Sequence, residues 1–196
     1  MKQRGPGGRP RKFDEAAVLD AAMKVFWRHG FDGTSMAELQ KATGLNPPSL
    51  YGAFGSKEQL YRRVLDRYAE VYGFAPDPDL PPREAIERFL HRAAETFSSG
   101  EHPRGCMIST AALAVKDGEG SVCAETAMRR AATLRLIRRR LVEAQEGGGL
   151  CGGDVDAIAR YFGAMVQGMS VQAVDGAGEE ELRTMADIAM RIWPEG

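Results

Sequence analysis

Helix-boundary signals crowd the stretch TSMAELQKATGLNPPSLYGAFGSKEQL (residues 34–60), and they constrain this chain more than any other feature. Ser35 with Glu38 three residues later makes an S-x-x-E capping box, in which each residue satisfies a backbone N–H the helix itself cannot. The helix it opens places Met36, Leu39 and Ala42 or Thr43 inward and stops at Gly44. Asn46 then caps another helix with Pro47 and Pro48 in its first turn, where a missing N–H costs nothing. Gly55 ends that helix after less than two turns, and Ser56 with Gln59 opens the next one through Leu60, Val64, Leu65, Tyr68 and Val71. Upstream, Asp14 caps a first helix whose apolar face runs through Val18, Ala22, Val25 and Phe26 and stops near Gly30.

The remainder also carries a helical period. No strand-like alternation and no Asn-Gly hairpin signal interrupts it. Residues 76–82, PDPDLPP, cannot be helical and mark a domain boundary. Beyond them the pattern predicts helices at 83–98, 104–117, 121–146, 154–175 and 179–193. The expected fold is all-α, with about nine helices in total. A basic arm over residues 1–12 precedes a helix-turn-helix domain over 13–75, and a larger helical domain covers 83–196.

Charge is distributed unevenly. Residues 1–75 hold 12 Lys and Arg against 8 Asp and Glu, whereas the remainder holds 14 against 19. The arm alone carries Lys2, Arg4, Arg9, Arg11 and Lys12 with no acid, so a polyanion partner is expected at the N-terminal end only. The opening MKQRGPGGRPRK has no apolar segment, and the longest uncharged apolar run, Tyr161 to Val174, is too short to span a bilayer. No secretory leader and no membrane partner are therefore expected. Cys106, Cys123 and Cys151 lie far apart with no C-x-x-C pair, which fits a reducing cytoplasm and neither a zinc site nor a disulfide framework.

Two short helices joined by a tight turn form the helix-turn-helix organisation. Phe26, Leu39, Leu45, Leu50 and Phe54 supply a minimal core, leaving Ser49 and Tyr51 outward with Pro47, Pro48 and Gly52. Outward hydroxyls suit phosphate or base-edge contacts in a major groove. Lys57 stands at a helix N-terminus, an unfavourable place for a cation unless an anion is near.

At these residues the chain resembles the DNA-binding domain of the TetR family of bacterial one-component regulators. The matching elements are Gly30-Phe31, Thr34-Ser35-Met36 and GLNPPSLYGAFGSKEQL, within about residues 13–65. The resemblance implies phosphate contacts by Tyr51, Lys57, Thr34 and Ser35, and base contacts by Pro47, Ser49 and Gly52. Gly52 and Ala53 depart from the larger residues many members carry, and Ala37 offers no polar contact, so direct base readout is sparse. Arg9 and Arg11 in the Gly8-Arg9-Pro10-Arg11 arm have the composition that enters narrow A·T-rich minor grooves and compensate for that sparseness.

The resemblance further implies a homodimer on a palindromic double-stranded operator and a small-molecule effector that releases it. Tyr161, Val166, Met169, Met185 and Ile192, on the two last apolar helices, are the candidate dimer residues, and Gly163 and Gly168 would let helices approach closely. Phe89, Phe97, Met107, Met128, Phe162 and Met165 are the candidate effector-cavity residues, or else ordinary core. The arginines from Arg129 to Arg140 read as a solvated face. Cys106, after His102-Pro103-Arg104-Gly105, leaves open a thiol-based redox or electrophile sensor. An architectural DNA-binding protein without a specific operator is the other alternative. Neither a catalytic constellation nor metal-ligand spacing is visible around His29, His91 and His102, so no enzyme activity, metal or cofactor is expected.

Overall fold

Every cap expected in the N-terminal region forms. The computed structural model describes residues 13–73, 75–110 and 122–193, among which there are nine helices and no strand. The Asp14 carboxylate accepts the N–H groups of Ala16 and Ala17 and opens α1 (Glu15–Gly33). Gly30 takes φ 68°, so α1 breaks there and the chain turns once more before Thr34. Ser35 and Glu38 close their capping box on α2 (Met36–Thr43), and left-handed Gly44 donates its N–H to Gln40 to end it. Asn46 accepts the Ser49 N–H at the start of α3 (Pro47–Phe54), and Ser56 with Gln59 boxes α4 (Lys57–Tyr72).

The second half holds α5 (Pro82–Ser98), α6 (Met107–Thr110), α7 (Val122–Glu146), α8 (Val155–Val174) and α9 (Glu179–Met190). The basic arm, with Arg9 and Arg11, lies outside the described residues. So does half of the helix expected over 104–117, and in the described half only Met107–Thr110, the single turn of α6, is helical. Gly105 explains the late start of α6. Its φ is 78°, and a Cβ there would stand 2.8 Å from the Ser170 carbonyl oxygen. The helix expected over 179–193 ends at Met190, and Trp193 folds back to donate its indole N–H to the Gly149 carbonyl at 2.9 Å.

Packing follows the apolar spacing. Phe26, Leu39, Leu50 and Phe54 are buried between α1, α2 and α3, and Leu45 is half-buried against them. Tyr61 of α4 meets Phe26 edge-on at 4.9 Å between centroids. Farther along α4, Tyr68 and Tyr72 both stand edge-on to Trp27 of α1, while His102 stacks on the same indole at 4.5 Å. The buried core therefore continues from the helix-turn-helix into the second half, with each fully buried side chain worth roughly 1.5–3 kcal/mol over exposure.

The arginines of α7 do not form one solvated face. Arg135, Arg138 and Arg139 are exposed, but Arg140 is buried, because it flanks the Ile137–Leu141 stripe where the 76–82 segment crosses α7. Its guanidinium donates to the carbonyls of Pro78 and Leu80 and pairs with Glu143. A proline-rich segment has few N–H groups with which to fix itself, so a buried cation gathering its carbonyls does that work. Arg140→Ala should lower unfolding free energy by about 2 kcal/mol in urea titrations. It should also make residues 76–82 the first site of limited proteolysis.

Candidate nucleic-acid interface and internal cavity

The two prolines of α3 sit where the first turn lacks N–H acceptors, and the helix uses its length to present one face. Leu50 and Phe54, four apart, point into the core. Pro48, Ser49, Tyr51 and Gly52 are exposed on the other side, Tyr51 by 46% although it is a large aromatic. Pro47 is half-buried beside them. A Cβ added to Gly52 would meet nothing within 4 Å, so no packing demands the glycine and the face there is flat. A surface this open can approach another molecule closely.

The flanks of α3 carry the remaining candidates. Ser35 is exposed as the cap of α2, and its backbone N–H, then its hydroxyl, hold the Glu38 carboxyl below its ordinary range. Thr34 is placed differently from the expectation. It is only 2% exposed, and its hydroxyl donates to the Gly30 carbonyl at 2.6 Å, so it fixes the turn before α2 and presents no free hydroxyl outside. Lys57 stands at the first position of α4 with its ammonium 4.4 Å from the centroid of the Phe31 ring. That cation–π contact offsets part of the unfavourable dipole and aims the lysine beside the exposed face of α3.

Comparison with known proteins agrees with this geometry. The family model described as bacterial regulatory proteins, tetR family, matches residues 18–64. The chain is 35% identical to the HTH-type transcriptional repressor ComR of Escherichia coli K12, over 96% of this chain and 92% of that protein. The chain belongs to the TetR family. It is also 40% identical to the E. coli repressor BdcR, over 55% of this chain and 56% of that one. Its fold superimposes on a triple cysteine mutant of the TetR family regulator CifR, complexed with 26-bp double-strand operator DNA. The TM-score is 0.89 and the identity 36%, with 95% of this chain and all of that one covered. The protein is thus a DNA-binding transcriptional regulator of this family, and an architectural role without operator is set aside.

A cavity of about 600 Å³ opens in the second half of this TetR protein, between α4, α5, α6, α7 and α8. Of the six residues expected to line it, only Phe97 does. Phe89, Met107 and Phe162 are buried in the core, Met165 is half-buried against it, and Met128 is 59% exposed. The wall is built instead from small residues, Ala131 and Ala132 on α7 and Gly163 and Ala164 on α8, together with Tyr68, Cys106 and Val166. The signal that would have found it is a lack of side-chain volume at those positions. Tyr68 donates its hydroxyl to the Cys106 sulfur at 3.4 Å, and burial raises its pKa well above the ordinary tyrosine value. Gly163 does allow close approach, to Leu134 of α7 within the same chain, whereas Gly168 faces open space.

The expected dimer residues also divide. Met169 is fully buried in its own chain and Val166 lines the cavity, so neither is free for a partner. Tyr161 and Met185 are half-buried and Ile192 exposed; Val171 and Val174 of α8 and Ile188 of α9, which the sequence pattern did not single out, are exposed too. Among the described residues no group of three or more His, Cys, Asp or Glu could hold a metal, and no helix is long and apolar enough to cross a membrane.

Gly55 joins α3 to Lys57 and is required by its backbone. Its φ of 83° is one that side chains disfavour, and a Cβ would lie 1.7 Å from the Gln59 oxygen that accepts the Ser56 N–H. Gly55→Ala should therefore cost about 1–2 kcal/mol in thermal or urea unfolding and lower DNA affinity by displacing Lys57 from α3.

Proposed function

We propose that the protein is a homodimeric repressor that binds a palindromic operator and is released when a small molecule fills the α4–α8 cavity. Tyr68 carries this reading: it lines the cavity and stands on α4, the helix that begins with Lys57 beside the exposed face of α3. Within it, residues 13–75 act as the DNA-binding domain, 83–196 as the effector and dimerisation domain, and 1–12 as an arm along the minor groove. Ser49, Pro47 and Gly52 approach base edges, while Tyr51, Ser35 and Lys57 take phosphates and Thr34 holds the turn that positions them. The exposed Val171, Val174, Ile188 and Ile192 form the surface by which α8 and α9 join their partner's copies. A twofold dimer sets two α3 helices about one turn of DNA apart. Its site of action on chromosomal DNA is the cytoplasm.

DNA fragments selected by the purified protein should be palindromic and bound roughly a thousandfold more tightly than random sequence in gel shifts. Ser49→Ala should relax discrimination among sites, whereas Lys57→Ala should weaken all sites alike and reduce the salt slope by about one. Binding without sequence preference, or a monomeric mass in light scattering, contradicts the reading.

A second reading concerns the same cavity. Cys106 is 6% exposed overall, yet it forms part of the cavity wall, where a small electrophile that fits the cavity can reach the thiol. An adduct there would break the Tyr68 contact and so act on α4. Under this reading, treatment with a small electrophile modifies Cys106 by mass spectrometry and releases DNA, and Cys106→Ser abolishes the release. Unmodified Cys106 with unchanged DNA affinity excludes it.

A further inference from the structure

The charged residues described around the cavity are of one sign. Arg129, Arg130 and Arg160 line it, and no aspartate or glutamate does among the described residues. The three arginines are not equivalent. Arg129 is committed to carboxylates, Asp66 at 2.6 Å and Glu125 at 2.8 Å. Arg130 is half-buried, and its one described bond goes to the Ile108 carbonyl at 3.0 Å, which holds it in place without neutralising it. Arg160 has no described carboxylate partner, because Asp156, one turn before it, is taken by Arg138 at 2.5 Å. Two guanidiniums without a described carboxylate, half-buried Arg130 and exposed Arg160, therefore stand at a mainly apolar space bounded by Phe97, Leu134, Leu136 and Val166, with Ser109, Thr133 and Gln167 among its uncharged polar groups.

From this charge pattern we infer that the cavity binds an organic anion: an apolar body with a carboxylate or similar group held by Arg130 and Arg160. The inference rests on the effector reading above and gives it a chemical class. A guanidinium binds a carboxylate through paired, charge-assisted hydrogen bonds; at half-buried Arg130 the contact is stronger than in water, while exposed Arg160 adds its charge at the rim. An amine would meet like charge, and a neutral molecule of the same shape would leave both cations unpaired. Size narrows the class further. At roughly 30 Å³ for each water-sized group, a space of about 600 Å³ holds on the order of twenty non-hydrogen atoms. A medium-length alkyl or single-ring aromatic acid fits.

The test uses the full-length protein with sodium decanoate, decan-1-ol and decylamine, three probes sharing one hydrocarbon body. Binding is followed by thermal shift and by fluorescence, since Trp27 packs against Tyr68 of the cavity wall. Decanoate should bind at least about tenfold more tightly than decanol, the scale of one charge-assisted hydrogen bond, and decylamine more weakly than either. In Arg130→Gln/Arg160→Gln, decanoate affinity should fall to that of decanol while decanol affinity is retained, which also shows that the variant is folded. Equal binding of the three probes, no binding of decanoate, or a decanoate preference that survives in the double variant overturns the inference. Release from selected DNA is measured separately. Decanoate bound with the expected arginine dependence but without DNA release upholds the anion site and removes its role as effector. Release by decylamine or decanol but not decanoate overturns the anion assignment and leaves the effector reading standing.

Discussion

One helix belongs to both halves of the molecule, and most of the structure depends on what α4 touches. Its first turn sets Lys57 over the Phe31 ring, and its middle closes the helix-turn-helix core through Tyr61 on Phe26. Its last turns bring Tyr68 and Tyr72 against Trp27 and His102, with the Tyr68 hydroxyl on the Cys106 sulfur. Aromatic rings packed edge-to-face at these distances add about 0.5–1.5 kcal/mol per pair beyond simple burial. They also resist sliding, because the rings interlock and one cannot move without displacing its neighbours. Anything that shifts the 97–106 segment therefore acts on α4 directly. From Tyr68 to Lys57 the rigid helix spans about 17 Å at 1.5 Å per residue, so a tilt at one end reaches the phosphate side of α3.

The other long wall of the cavity, α7, is pinned at both ends to that same machinery. Near its start Arg129 bridges to Asp66 of α4, and near its end buried Arg140 gathers the carbonyls of the linker before α5. An exposed pair such as Asp66 with Arg129 is worth little as stability, but it couples the motions of two helices. Buried Arg140 is different, since losing its partners would leave a charge stranded in the interior. The cavity thus lies between elements in direct contact with the DNA-binding half and its linker, an arrangement through which two sites can be coupled.

The N-terminal half was legible because its determinants are local. Ser35 with Glu38, Asn46, and Ser56 with Gln59 act over three residues, so spacing alone predicts the caps that form. The same reasoning predicted Leu50 and Phe54 inward and Ser49 and Tyr51 outward. Thr34 was less legible: whether its hydroxyl faces outward depends on the Gly30 kink, which turns the Gly30 carbonyl toward it. The cavity was legible from large apolar residues only at Phe97, because Phe89, Met107 and Phe162 are what fills a core, whereas a cavity exists where side chains stop short. Recognising it needs the register of α7 on α8, fixed by Leu134 against Gly163 across the sequence. Met169 and Val166 failed as dimer residues for a related reason, since an apolar helix with two faces does not say which one its own chain uses.

The size of the cavity bears on what the unliganded protein holds. A space of about 600 Å³ that opens to solvent between the helices is filled by water in the free protein. Ordered water there needs polar partners on the wall. Ser109, Thr133, Gln167 and the two unneutralised arginines provide them. The same groups that hold water in the free protein then select the ligand. An anion with an apolar body returns a charge to Arg130 and Arg160 while its hydrocarbon displaces water from Phe97, Leu134 and Leu136. A purely apolar guest would strand the arginines, and a purely polar one would gain nothing from the small-residue wall. The volume left by alanines and glycines, and the charge left on two arginines, are complementary halves of one recognition device.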